Sequence, residues 1–248
     1  MINSIKIRTT ALARIFHTVG CALVAQRRAA SAPPAESGPA RSTDFTRGCE
    51  IVGLALAAGL MLATASTRAV EKFDGDTPLD WSVRMAKSEM SRRGDTLFYP
   101  NPGARWDYTR GFLAQSLIKL GERVSDPAMT AFGTRIVESF VTPEGGIATY
   151  KMQEYNVDML PPGRALILAY EQHKDERIEQ AIKLLRSQLT GQPRTSDGGF
   201  WHKQRYPHQM WLDGLFMAAT FYAQYGQAFN EPAAFDDVVK QIMLMDEH

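Results

Sequence analysis

The chain has 248 residues, with 28 Lys and Arg against 27 Asp and Glu, 44% hydrophobic residues and two cysteines. That balance fits a globular protein of one or two domains, and the interleaving of bases with acids beyond residue 70 argues against a nucleic-acid or membrane surface. Cys21 and Cys49 both precede residue 70, so the remainder offers neither a disulfide nor a thiol.

Residues 1–69 read as a leader. The first 48 are rich in Arg, Ala, Ser and Pro and carry no lasting periodicity. Residues 51–65 then form a short apolar run that follows Arg41 and Arg47 and ends in Ala63-Thr64-Ala65, a small-x-small cleavage pattern. The run is short for a membrane span. The expectation is export to the periplasm or beyond, with no stable membrane association after cleavage; an uncleaved anchor is the alternative.

Residues 70–248 alternate helix signals with short breaks and show no convincing strand. Residues 79–92 give a first helix, with Trp81, Val83, Met85, Ala86 and Met90 apolar, and Tyr99-Pro100-Asn101-Pro102-Gly103 breaks the pattern. A second spans 106–120, and a third starts at Asp126-Pro127, a cap followed by a first-turn proline. Pro161-Pro162 open a fourth. Residues 175–189 carry the stripe of a fifth in Ile178, Ala181, Ile182, Leu185 and Leu189. A sixth is expected from Pro207, apolar nearly all round and therefore buried, and a seventh from Glu231-Pro232.

Asp107, Asp158 and Asp213 each stand beside aromatic or apolar residues at a helix start, and they recur about every fifty residues, a period of stacked helical hairpins. Hairpins that curve into a toroid would bring these starts to one funnel. Aromatic faces and paired carboxyl groups there would suit a sugar. Asp213 is singular, as the only acid of the sixth helix, and it follows a loop that packs Phe200, Trp201, His202, Lys203, Arg205, Tyr206 and His208 together. A carboxyl buried in that setting would stay protonated and could donate a proton; the competing reading is a cap on a helix that starts at Gly214.

Two stretches carry a resemblance. Tyr155-Asn156-Val157-Asp158-Met159-Leu160-Pro161-Pro162-Gly163 and the run from Phe200-Trp201-His202-Lys203 through Tyr206-Pro207-His208-Gln209-Met210-Trp211-Leu212-Asp213-Gly214 resemble glycoside hydrolase family 105, the unsaturated rhamnogalacturonyl hydrolases. Family 88, the unsaturated glucuronyl hydrolases, is similar. The resemblance begins at about Trp81. It implies an all-α (α/α)6 barrel and, as substrate, an unsaturated oligosaccharide left by a polysaccharide lyase, with pectin as the expected source. Its terminal uronic acid carries a C4=C5 double bond that is hydrated.

By the resemblance, Asp213 is the proton donor and water activator, and Asp158 holds the substrate or keeps Asp213 protonated. His202, His208, Trp211 and Tyr108 line the site. The chemistry needs no cofactor and no metal, and residues 70–248 contain no P-loop, dinucleotide fingerprint or nucleophile elbow. Seven helices are about the N-terminal half of a six-hairpin barrel, so the chain reads as truncated. A carbohydrate- or partner-binding fragment without turnover is the alternative function; an inverting glycosidase or a sugar epimerase is a third.

Overall fold

Short polar side chains mark where half of the helices begin. In the computed structural model, which describes residues 71–247, α1 (Pro78–Arg93) starts in a capping box: the Thr77 hydroxyl accepts from the Asp80 amide, and the Asp80 carboxylate accepts from the Thr77 amide. Asp107, Asp126 and Asp175 cap α2 (Tyr108–Val124), α3 (Pro127–Glu138) and α5 (Glu176–Gly191) in the same manner, each accepting a backbone amide of the first turn. The fourth helix, α4 (Pro162–His173), has no side-chain cap; Pro162 fills its first turn, where a missing N–H costs nothing. The chain ends in α6 (Leu212–Gly214), a π-helical segment (Leu215–Ala219), α7 (Thr220–Ala228) and α8 (Ala233–Glu247). Among the described residues the only β pairing is three isolated bridges. The all-α class read from the sequence holds. The signal run at 51–65 lies outside the described residues.

The sixth helix departs from its expected form. It starts at Leu212 rather than Pro207, because residues 203–209 fold back on themselves: Tyr206 donates its amide to the Lys203 carbonyl at 2.9 Å, and His202 donates to the Gln209 carbonyl at 2.8 Å. His208 takes a positive φ of 61° within that loop. Nor is the segment buried all round. Met217, Ala218, Ala219, Phe221 and Tyr222 are buried, but Leu212 is 72% and Phe216 47% exposed, so its first turn stands open.

Helix α4 is the hub. It packs on α2, α3, α5 and α7, and Pro162, Gly163, Ala165, Leu166, Ile167 and Ala169 are all buried. Consecutive helices pair as α2 with α3, α4 with α5 and α7 with α8, while α2, α4 and α7 also touch in series, so these three form the inner row. Gly163 permits the tightest of these approaches: a Cβ there would stand 2.5 Å from Phe221 Cε2 and 2.8 Å from Leu185 Cδ1. Gly163→Ala should therefore overpack the α4–α5–α7 junction and cost about 1–3 kcal/mol, more than the alanine gains in helix propensity. Urea unfolding followed by circular dichroism checks this, and an unchanged or raised midpoint would contradict it.

Candidate active site

The two motif stretches meet at the backbone. Val157 donates its amide to the His202 carbonyl at 3.1 Å, and Gln204 donates to the Glu154 carbonyl at 3.2 Å. Buried amides hold these loops from behind. Gln192, on the end of α5, donates to the carbonyls of Tyr155 at 2.7 Å and Trp201 at 2.8 Å, while Gln188 donates to Gln192 at 3.0 Å. Gln188 in turn accepts from the Tyr150 hydroxyl at 2.7 Å, and burial pushes that phenol well up, so it stays a donor. From the other side Gln241 of α8 accepts the Phe200 amide at 2.8 Å and donates to the Gly198 carbonyl at 3.0 Å. Trp106 is a third pin, its indole donating to the Met159 carbonyl at 2.8 Å and so fixing the start of α2 beside the turn that carries Asp158.

On this frame Asp158 receives two donors. His202 Nε2 lies 3.0 Å from its Oδ1, and Lys203 Nζ lies 2.6 Å from its Oδ2. Burial alone would raise the Asp158 carboxyl, but the hydrogen bonds from His202 and Lys203, with the charges behind them, outweigh burial and hold it below the ordinary carboxylate value. His202 is 2% exposed, and its ring stacks on Trp211 at 4.3 Å with the planes 17° apart. Trp211 also stacks on Tyr206 at 5.1 Å. The second ring nitrogen, Nδ1, lies 3.9 Å from Asp213 Oδ1.

Asp213 itself is 56% exposed at the side chain. The burial expected to hold it protonated is therefore missing, because the first turn of its helix faces open space. Nor does it cap the helix, since it sits inside α6 and Trp211 holds the cap position. A cleft of about 670 Å³ opens beside Asp158, walled by Asp107, Tyr108, Asn156, Lys203 and Arg205.

The expected site residues thus fall into three groups. Asp158, His202, Asp213 and Trp211 come together at the starts of the inner helices, and Tyr108 lines the adjoining cleft. His208 stays in the exposed outer loop, edge-on to Trp201 at 4.6 Å. Lys203 was not read as a site residue, although it stands beside His202 in the sequence. A lysine in a loop reads as solvated until a buried carboxylate is found against it.

Atoms of Asp158, His202 and Asp213 capable of binding a cation lie within 4.8 Å of one another. Each Asp158 oxygen already has a donor, however, and the Lys203 ammonium compensates its charge, so a cation there would meet a positive group.

Residues 81–248 match the sequence profile of Glycosyl Hydrolase Family 88. A family 105 glycoside hydrolase from C. acetobutylicum is similar in structure, with a TM-score of 0.61 and 36% identity over 66% of this chain and 44% of its own. Possible family 105 members from Salmonella enterica and Klebsiella pneumoniae share the fold, with TM-scores of 0.54 and 0.55 at 19% and 20% identity, covering 67% and 71% of this chain and 46% and 49% of theirs. The chain spans just under half the length of these solved structures.

The Lys203–Asp158 pair generates a stability prediction. Lys203→Met leaves a mostly buried carboxylate without its ammonium and should cost about 3 kcal/mol near neutral pH, and adding Asp158→Asn should recover part of that loss. Since the Asp158 carboxyl sits below its ordinary value, its contribution is complete above the unfolded value of about 4 and is lost as pH falls through the depressed one. Denaturant titrations between about pH 5 and 2 should show a shallower acid loss in Asp158→Asn than in the parent. Equal slopes would mean that the pairing adds nothing.

Proposed function

The chain belongs to Glycosyl Hydrolase Family 88, and on that footing we propose that it hydrolyses oligosaccharides whose terminal uronic acid carries a C4=C5 double bond, the products of polysaccharide lyases acting on pectin-type polymers. The observation that best supports this reading is the unlike pair of carboxyl groups at the inner helix starts. Both Asp158 oxygens have donors, whereas Asp213 is exposed and free to reach a sugar. Asp213 is therefore assigned the acid–base role, and Asp158 the role of holding the site together.

In the proposed reaction Asp213 donates its proton to C4, and the double-bond electrons form the new C–H bond. Positive charge spreads over C5 and the ring oxygen. Water adds at C5 and returns a proton to the Asp213 carboxylate, so the carboxyl group is restored. The hemiketal then opens and the neighbouring sugar leaves, the net change being addition of one water. Tyr108 on the cleft wall and the rim of Trp211 offer aromatic surface to the sugar. A rhamnose-linked unsaturated galacturonide is the substrate by resemblance to family 105, and export by way of the run at 51–65 would bring the protein to such fragments.

Incubating the full chain with unsaturated rhamnogalacturonan disaccharide should bleach the ultraviolet absorbance of the conjugated double bond, and Asp213→Asn should slow this by about two to four orders of magnitude. Loss of absorbance only with unsaturated glycosaminoglycan disaccharides would move the substrate to glucuronides. Turnover of saturated disaccharides would overturn the hydration chemistry. A second reading is binding without turnover: retained ligand affinity in both parent and Asp213→Asn, with flat absorbance in both, would establish it.

A further inference from the structure

His202 carries two nitrogens with opposite surroundings. Nε2 faces Asp158 Oδ1 at 3.0 Å, and the Asp158 carboxylate, with Lys203 on its other oxygen, can only accept. Nε2 must therefore carry a hydrogen. Nδ1 is buried, has no hydrogen-bond partner, and looks toward Asp213 Oδ1 at 3.9 Å. The charged groups facing the ring are Asp158 from the turn before α4, Asp213 from α6 and Lys203 from the ring's own loop. Lys203 already compensates Asp158, which leaves Asp213, 3.9 Å from Nδ1, as the group with which the ring shares its next proton: either Nδ1 carries it or the acid does. With the proton on Asp213, Nδ1 is a buried acceptor that costs free energy until something donates to it.

We propose that His202 is a positioning residue: its Nε2–H is anchored on Asp158, and its bare Nδ1 accepts from the acid O–H of Asp213 once that exposed side chain closes the 3.9 Å between them, so that the carboxyl is oriented before substrate arrives. This rests on the assignment of Asp213 as proton donor. A bare nitrogen can pair with a carboxyl group only when that group is the donor, so a contact at Nδ1 is made through the acid O–H and fixes which way it points.

The backbone is arranged for this approach. Gly214 lies against the ring, where a Cβ would stand 3.0 Å from Nδ1. The π-helical segment Leu215–Ala219 follows at once, a wider turn that re-aims the residues before it relative to α7. Gly214 has ordinary right-handed helical angles, φ −59° and ψ −29°. Its lack of a side chain therefore serves the space over Nδ1 and not the backbone conformation.

The experiment uses the full chain labelled with ¹⁵N, which contains five histidines. Two-bond ¹⁵N–¹H spectra, with the His202 signals identified by their loss in His202→Gln, should show at neutral pH one protonated nitrogen, Nε2, and one bare nitrogen, Nδ1. Asp213→Ala should move the Nδ1 resonance and leave Nε2 in place. A hydrogen on Nδ1, a doubly protonated ring, or an Nδ1 signal indifferent to Asp213→Ala would overturn the proposal.

Kinetics on the unsaturated disaccharide form the second arm. His202→Gln keeps an amide near Nε2 but offers nothing at Nδ1, and Gly214→Ala places a methyl over Nδ1 without changing any titratable group. Each should lower kcat about tenfold, the effect of one lost hydrogen bond, with KM within about twofold. His202→Asn, whose amide oxygen reaches the Nδ1 position, should recover part of the loss. Unchanged kcat in both His202→Gln and Gly214→Ala, in a parent that turns over, would overturn the proposal, whereas a parent inert toward every unsaturated disaccharide but with the expected spectra would overturn the enzymatic reading and leave the His202–Asp213 contact standing.

Discussion

The mouth of this protein depends on one mostly buried carboxylate. Asp158 is 13% exposed and keeps its charge because an imidazole and an ammonium donate to its two oxygens. Removing either donor leaves a charge that the surroundings cannot solvate. The same two bonds fix His202 and Lys203, and through the stacking of His202 on Trp211 they fix the residue two positions before Asp213. One ion pair thus sets the geometry of both motif stretches.

That pair could not hold loops as long as these unaided. Four of their main-chain groups are taken by glutamine amides from the outer helices: Gln192 bonds the Tyr155 and Trp201 carbonyls, Gln241 bonds the Phe200 amide and the Gly198 carbonyl, and Gln188 braces Gln192. Gln188, Gln192 and Gln241 are buried, and each offers both a donor and an acceptor to what would otherwise be unpaired groups. The outer helices therefore do more than enclose the core. Their amides carry its rigidity to the loops that surround the cleft, which lets a site built largely on irregular chain hold its geometry.

The inner row contributes through close approach. Gly163 brings α4 against Phe221 and Leu185, and Gly214 brings the start of the last inner segment against His202. Between the second of these contacts and α7 the helix widens into a π turn, and the Thr220 hydroxyl bonds back to the Phe216 carbonyl at 2.5 Å. The result is a segment buried at Met217–Ala219, Phe221 and Tyr222 and open at Leu212–Asp213, with the Asp213 carboxyl at the open end. Such a division leaves the Asp213 carboxyl accessible while its neighbours stay packed.

The residues by themselves determined the helices, because local physics decides them: capping acids at Asp107, Asp126 and Asp175, first-turn prolines at Pro127 and Pro162, and apolar stripes at helical spacing. The recurrence of an acid at successive inner starts also made it legible that Asp158 and Asp213 would share one end of the fold, and the motif stretches carried the family. Three matters belonged to tertiary structure alone. The loop from Lys203 to Gln209 closes through backbone bonds that no side-chain pattern announces, so the helix starts later than Pro207. The apolar run after Asp213 could not reveal which of its sides would be covered, because periodicity gives no direction where every side is apolar. Finally, the states of Asp158, His202 and Asp213 depend on which donor faces which atom across contacts between distant segments, and distances of that kind exist only once the chain has folded.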